Sequence, residues 1–206
     1  NLSYGIDYAD RLSEADRAED AIPVLNGVIN QDPSSKIAYR KLAEANISID
    51  NLDGGARAYE ELFKIDPRDA RVAINISDVY LENSDYRQAI KWADKATNID
   101  SKSANALGQK GKVYYYGWDN YRQNPLTNDD RVVARLAYDY FTKAEKKGYR
   151  GFSKSSWLQE NQKEVLYGKA QWFMADDKVK RSRKISTYSS DYSWVTESLV
   201  ADDGWK

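Results

Sequence analysis

The sequence contains neither cysteine nor histidine. Those two absences remove disulfides, thiolate nucleophiles, imidazole bases and nearly all zinc or haem ligation, and with them most catalytic designs. Proline is scarce: Pro33 and Pro67 share a beat described below, Pro125 has the surroundings of a loop, and only Pro23 interrupts a helical pattern. No apolar run approaches membrane-spanning length, and no signal peptide is recognisable. An excess of one charge is missing too, since 31 basic and 32 acidic residues leave a net charge of −1. That balance gives no global pull towards nucleic acid or an anionic membrane. A hydrophobic content of 41% excludes an intrinsically disordered chain. The missing cysteines tilt the compartment towards a periplasmic or exported setting. The start at Asn1 without methionine reads as a processed or truncated product.

What is present is a beat. Gln31-Asp32-Pro33 is answered by Ile65-Asp66-Pro67 and again by Ile99-Asp100-Ser101, and both 67 − 33 and 101 − 67 equal 34. A fixed period of this length is the signature of a solenoid whose repeats are stabilised by their neighbours. Aligned on it, residues 2–35, 36–69 and 70–103 place similar residues in the same columns. The second repeat carries Tyr39, Leu42 and Ala43, then Tyr59, Leu62 and Pro67; the third carries Ile76, Ser77, Tyr80, Ala89, Ala93 and Ala96; the first carries Tyr8, Ala9, Leu12, Ala21, Leu25, Val28 and Pro33. Asn46 stands in the column of Tyr80, and Gly55 in the column of Ala21 and Ala89.

This pattern resembles the tetratricopeptide repeat (TPR) family, and covers about two thirds of the chain. The resemblance implies an all-α, right-handed α-solenoid of antiparallel helix pairs over residues 1–150, with a C-terminal capping region over 151–206. A fourth pair over 104–147 begins with Leu107, Gly111 and Tyr114 and then leaves the period. Ala137, Phe141 and Ala144 restore the second-helix spacing, so an insertion falls near 117–130. Within it Asn124-Pro125 marks a turn, and Thr127 with Asp130 forms a capping box for the next helix. Trp118 and Tyr121 are expected to fold this loop back over the solenoid end. Beyond Gly148 the spacing of Trp157, Leu158, Val165, Leu166, Trp172 and Phe173 predicts a degenerate capping helix from Ser153, broken at Gly168. Residues 175–206 read as a tail too polar to form a second core.

The resemblance further implies that repeat positions 2, 5, 9, 12 and 13 face a ligand. Position 9 gives Asp10, Glu44, Asp78 and Lys112; position 12 gives Ser13, Ile47, Leu81 and Tyr115; position 5 gives Ile6, Arg40, Ile74 and Gly108. An acidic row beside an apolar row fits an extended or helical segment of another protein bearing apolar and basic residues. Solvated acids and side chains packed within their own repeat would produce part of the same pattern. Some TPR proteins clamp a C-terminal carboxylate with basic residues and asparagine; here Glu44 stands inside the corresponding set, which argues against that use. The basic run Lys178 to Lys184 is flanked by Asp176, Asp177 and Asp191 and reads as a solvated linker, so nucleic acid is not the expected partner. No cofactor or metal is expected. The sequence therefore reads as a non-catalytic protein-interaction scaffold. The alternative is a structural subunit of a larger, cell-envelope complex, docking through the insertion and tail.

Overall fold

Each repeat owes its limits to three short-range devices that recur at the same interval. Ser35, Asp69 and Ser103 are N-caps whose side chains accept from the backbone N–H groups of Ala38, Arg71 and Ala106, offsetting donors that a helix start leaves unpaired. Asp32 and Asp100 each accept, through Oδ1, the backbone N–H two residues on, at 3.0 and 2.9 Å, closing the turn between pairs. Asp16, Asp50 and Ser84 hold left-handed backbone, with φ of 57°, 62° and 56°, at the turn inside each pair. In the computed structural model these devices delimit α1 (Leu2–Glu14), α2 (Ala18–Gln31), α3 (Lys36–Ser48), α4 (Leu52–Ile65), α5 (Ala70–Glu82), α6 (Tyr86–Ile99), α7 (Ala104–Tyr121) and α8 (Asn128–Glu145). The described residues are 2–151 and 154–205. Ser153, where the sequence starts the capping helix, lies outside them, as do the terminal residues Asn1 and Lys206.

The next left-handed residue would fall at 84 + 34 = 118, and position 118 is a tryptophan. A bulky side chain disfavours that backbone conformation, and the chain does not turn there. Instead α7 runs on to Tyr121 and Trp118 is fully buried. Helix α8 then starts at the expected capping box, with Thr127 Oγ1 accepting from Asp130 N while Asp130 accepts from Thr127 N at 2.7 Å. The insertion expected over 117–130 is thus mostly added helix, joined by a connection over 122–127, and Trp118 and Tyr121 belong to the helix rather than to a folded-back loop.

Compact packing divides the chain into residues 1–85 and 86–206, a boundary inside the third helix pair rather than near residue 150. In the first unit, α1 to α5, alanines in the close-packing columns let helices approach. Ala9, Leu12, Ala18, Ala21, Leu25 and Ala45 form one cluster against which Ile22, Val24, Leu42 and Ile49 pack. Asn46 is buried in its tyrosine column. Its Nδ2 donates to Leu42 O at 2.7 Å and its Oδ1 accepts from Asn51 Nδ2 at 2.6 Å, so the polar substitution is satisfied locally.

In the second unit α6, α7 and α8 enclose Ala93, Val113, Tyr114, Trp118, Val133 and Phe141. Gly111 permits the contact, since a Cβ there would stand 2.7 Å from the Phe141 ring. The single capping helix expected from Ser153 is instead α9 (Lys154–Glu160), α10 (Gln162–Val165) and α11 (Lys169–Phe173), interrupted at Asn161 and Gly168. Then come α12 (Asp177–Ser182) and a two-stranded antiparallel ribbon of β1 (Lys184–Ile185) and β2 (Leu199–Val200). The tail is not merely polar. Ile185, Tyr192, Trp194, Leu199 and Ala201 are buried, and the rings of Trp194 and Tyr192 meet Tyr86 on α6 and Tyr114 and Tyr121 on α7.

Candidate binding sites

In the first unit, the first helices α1, α3 and α5 carry Ile6, Asp10, Arg40, Glu44, Ile47, Ile74, Asp78 and Leu81. Ile6, Ile74, Leu81, Asp10 and Asp78 are all half-buried, neither in the core nor fully solvated, while Glu44 is exposed. The acidic row is partly balanced within the chain. Lys41 Nζ stands 3.1 Å from Asp10 and 3.7 Å from Glu44, and the hydrogen bond to Asp10 raises the lysine above its ordinary range, against the opposing pull of burial. Around the buried Tyr59 hydroxyl, raised by burial and by the Glu44 charge, Asn75 supplies a hydrogen bond and Arg40 an opposing charge. Ile47 spends part of its surface on its own repeat: a Cβ on Gly55 would fall 2.6 Å from Ile47 Cγ1. Glycine in the usual alanine column makes room for that side chain.

In the second unit, Lys112 and Tyr115 lie on α7. Tyr115 was expected to face a ligand, but it is 5% exposed, against Tyr116 and Trp118 at ring separations of 5.8 and 5.7 Å. Trp118, one of these two rings, is brought in by the residues that α7 adds beyond the ordinary helix end. Gly108, in the same reading, is covered by the Tyr149 ring. Lys112 is half-buried.

The most organised polar site in the second unit escaped the sequence reading. Lys110 occupies the column filled by Leu42 and Ile76 in the preceding repeats, and it is 6% exposed. Its Nζ meets Asp94 at 2.7 Å, Glu197 at 3.2 Å and the Tyr140 hydroxyl at 2.8 Å. Burial alone would lower its pKa, but Glu197 and then Asp94 outweigh that and raise it. Glu197 also accepts from the hydroxyls of Tyr114 and Tyr140, the latter at 2.9 Å. Burial pushes Tyr140 up to about 12. The readable signal was a lysine in an apolar column, which needs a carboxylate partner somewhere in the fold. The basic run at 178–184 is partly consumed: Arg183 donates to Asp203 at 2.8 Å and to Ala201 O at 2.7 Å, and Lys180 donates to Phe173 O at 2.8 Å.

Among the described residues no cluster of potential metal ligands occurs, and no helix is long and apolar enough to cross a membrane. No family model and no curated protein matches the sequence. Solved structures do match. A crystal structure of MamA aligns with 71% of this chain and 78% of its own at 22% identity, with a TM-score of 0.58. MamA from Desulfovibrio magneticus RS-1 aligns with 71% of this chain and 75% of its own at 16% identity, TM-score 0.56. YrrB, described as a TPR protein with an unusual peptide-binding site, aligns with 71% of this chain and 82% of its own at 16% identity, TM-score 0.47. The helix starts at Lys36, Ala70 and Ala104, and the caps and left-handed turns that set them, keep the 34-residue step of the sequence. The chain has a TPR-like fold. Its helix pairs are those of a TPR-like solenoid.

Proposed function

We propose that this TPR-like protein is a non-catalytic scaffold that binds a segment of a partner protein along the first-helix face of α1, α3 and α5. The observation that supports this reading is the half-exposure of Ile6, Ile74 and Leu81 beside Asp10, Glu44 and Asp78. Aliphatic side chains that the repeat packing does not bury, set next to carboxylates, offer apolar anchorage and select for positive charge. The preferred ligand is an extended or helical segment that alternates apolar residues with lysine or arginine. Lys41 already occupies part of the acidic row, and a basic ligand side chain would compete with it for Asp10 and Glu44. Tyr115 has no place in this site, and Lys112 belongs to the second unit.

Affinity capture from native lysate, comparing the wild type with an Ile74→Glu, Leu81→Glu double variant of matched helicity, tests the proposal. A partner held by the wild type and lost by the variant supports the face, and equal capture by both refutes it.

A further inference from the structure

The strand pair β1–β2 closes a loop over residues 186–198, and the part of that loop nearest β2 lies on α6, α7 and α8 in the manner of a bound peptide. Tyr192, Trp194 and Leu199 are buried, Glu197 is half-buried, and Ser193, Thr196 and Val200 are exposed. The Trp194 ring sits 5.6 Å from Tyr86 and 5.7 Å from Tyr114, in a space that exists only because residue 117 is glycine; a Cβ there would collide with the indole. Three residues on, Glu197 meets the Lys110 ammonium and the Tyr114 and Tyr140 hydroxyls.

Main-chain bonding is sparse. Among the described residues, the backbone N–H groups from Ser193 to Ser198 make only the local turn bonds Ser193 N to Ser190 O and Val195 N to Tyr192 O, apart from those of the ribbon. Side chains alone hold this stretch to the helices, and the Trp194 indole N–H is buried without an acceptor. A segment without regular structure and without main-chain bonds to its support opens at lower cost than the helices beneath it. Nor does it fill the site: beside Trp194 an open cleft of about 360 Å³ runs along α6, lined by Ile90 and by Asp94, whose charge is met by Lys110, and rimmed by Arg87, Lys91 and Lys95.

We propose that the slot formed by α6, α7 and α8 is a second peptide-binding site, occupied here by the chain's own Trp194–Glu197. The partner it fits is a protein segment with an aromatic residue, a carboxylate three residues later, and a further acidic residue that reaches the basic rim of α6. The aromatic residue stacks between Tyr86 and Tyr114, the carboxylate takes the Lys110–Tyr114–Tyr140 donors, and the additional acid meets Arg87 or Lys91. The tail lacks that third feature, because Ser193 stands at the Arg87 position, 3.1 Å from its guanidinium. A partner that supplies it displaces the tail, which acts as a built-in competitor. This site is separate from the first-helix face of the first unit and does not depend on that reading.

The experiment uses the full chain with Trp194→Ala and Glu197→Ala, which unseats the tail, and a fluorescent synthetic peptide of residues 190–201 read by anisotropy. Helicity is checked by circular dichroism. The variant is expected to bind the peptide at least about tenfold more tightly than the wild type, and adding Lys110→Met is expected to remove at least about tenfold of that affinity. A peptide carrying Ser193→Glu is expected to bind about threefold or more better, with the gain lost at high salt. Equal binding by variant and wild type, or no binding to a folded variant, would overturn the site; no gain from the glutamate would overturn the acidic partner. Should the variant lose helicity, hydrogen exchange on the wild type decides. Amides at 193–198 exchanging at least about tenfold faster than those of α7 support a displaceable tail, and exchange in step with α7 refutes it.

Discussion

Two glycine-to-alanine substitutions in the first unit should change stability in opposite directions, and the sign of each follows from what a methyl group would meet. Gly27 lies within α2, and a Cβ there has nothing within 4 Å. Gly27→Ala therefore gains helix propensity alone, up to about 1 kcal/mol. Gly54 lies in the first turn of α4, where a Cβ would overlap the Asn46 carboxamide and approach Asn51 Nδ2 to 2.5 Å. Asn46 is 5% exposed and cannot swing into solvent without abandoning its bonds to Leu42 O and Asn51. Leaving that buried amide unsatisfied costs about 1–3 kcal/mol. Disturbing Asn51, the N-cap that accepts from Gly54 N at 3.1 Å, adds about 1 kcal/mol. These terms outweigh the propensity gain, so Gly54→Ala should destabilise by about 1–3 kcal/mol. Thermal unfolding followed by circular dichroism resolves this, since about 1 kcal/mol moves Tm by roughly 2–4 °C in a chain of this size. Placing Gly54→Ala on an Asn46→Ala background should remove part of the added cost, because the Asn46 atoms it strikes are gone while Asn51 Nδ2 remains. A Gly54→Ala protein as stable as Gly27→Ala would refute the reasoning.

Lys110→Met should destabilise the second unit by about 1–3 kcal/mol, below the cost of breaking a fully buried pair because Asp94 and Glu197 are each about one third exposed. Combining it with Glu197→Gln should cost less than the sum of the two single changes, which urea titrations of the four proteins would measure. Thr127→Ala, which removes one arm of the capping box on α8, should cost about 1 kcal/mol in the same assay. Raising pH gives a further test. Tyr140, by burial, and Tyr80, by burial and then its hydrogen bond to Glu60, are both raised to about 12, and Lys110 is raised as well. Groups with raised folded pKa values contribute fully below the unfolded value near 10 and lose that contribution as pH climbs through the folded one. Stability should therefore hold to about pH 9–10 and fall from there towards 12, with phenolate absorbance rising late for the buried tyrosines. A decline beginning near pH 8 would contradict this.

The repeat was legible because each of its devices is local. An aspartate in the turn between pairs, a serine or aspartate cap and a small residue in the helix-contact column act within a few residues, so spacing alone exposes them. The fourth pair was harder, for the deciding fact was negative: Trp118 stands where Asp50 and Ser84 take left-handed backbone, and the helix continues for want of a turn residue. The tail was misread because its polarity is an average. Tyr192, Trp194 and Leu199 alternate with serine, threonine and glutamate, and the surface that buries them is provided by residues about 60 to 110 positions earlier, such as Asp130, Tyr114 and Tyr86. Lys110 was visible in its column, yet its partner Glu197 is 87 residues away (197 − 110), beyond the reach of any periodicity. For the candidate face, the sequence named the side chains of α1, α3 and α5 but not Lys41, whose position between Asp10 and Glu44 depends on how α1 and α3 pack.

The central claim is that the face of α1, α3 and α5 binds a basic and apolar protein segment, and a peptide-library selection tests it most directly. Immobilised wild-type protein and the Ile74→Glu, Leu81→Glu variant would be panned against the same random library, and the enriched sequences compared. The account predicts enrichment of peptides that alternate lysine or arginine with aliphatic or aromatic residues, lost on the variant and weakened by an Asp78→Asn change. Enrichment of acidic peptides, or of the same peptides on both proteins, would contradict it.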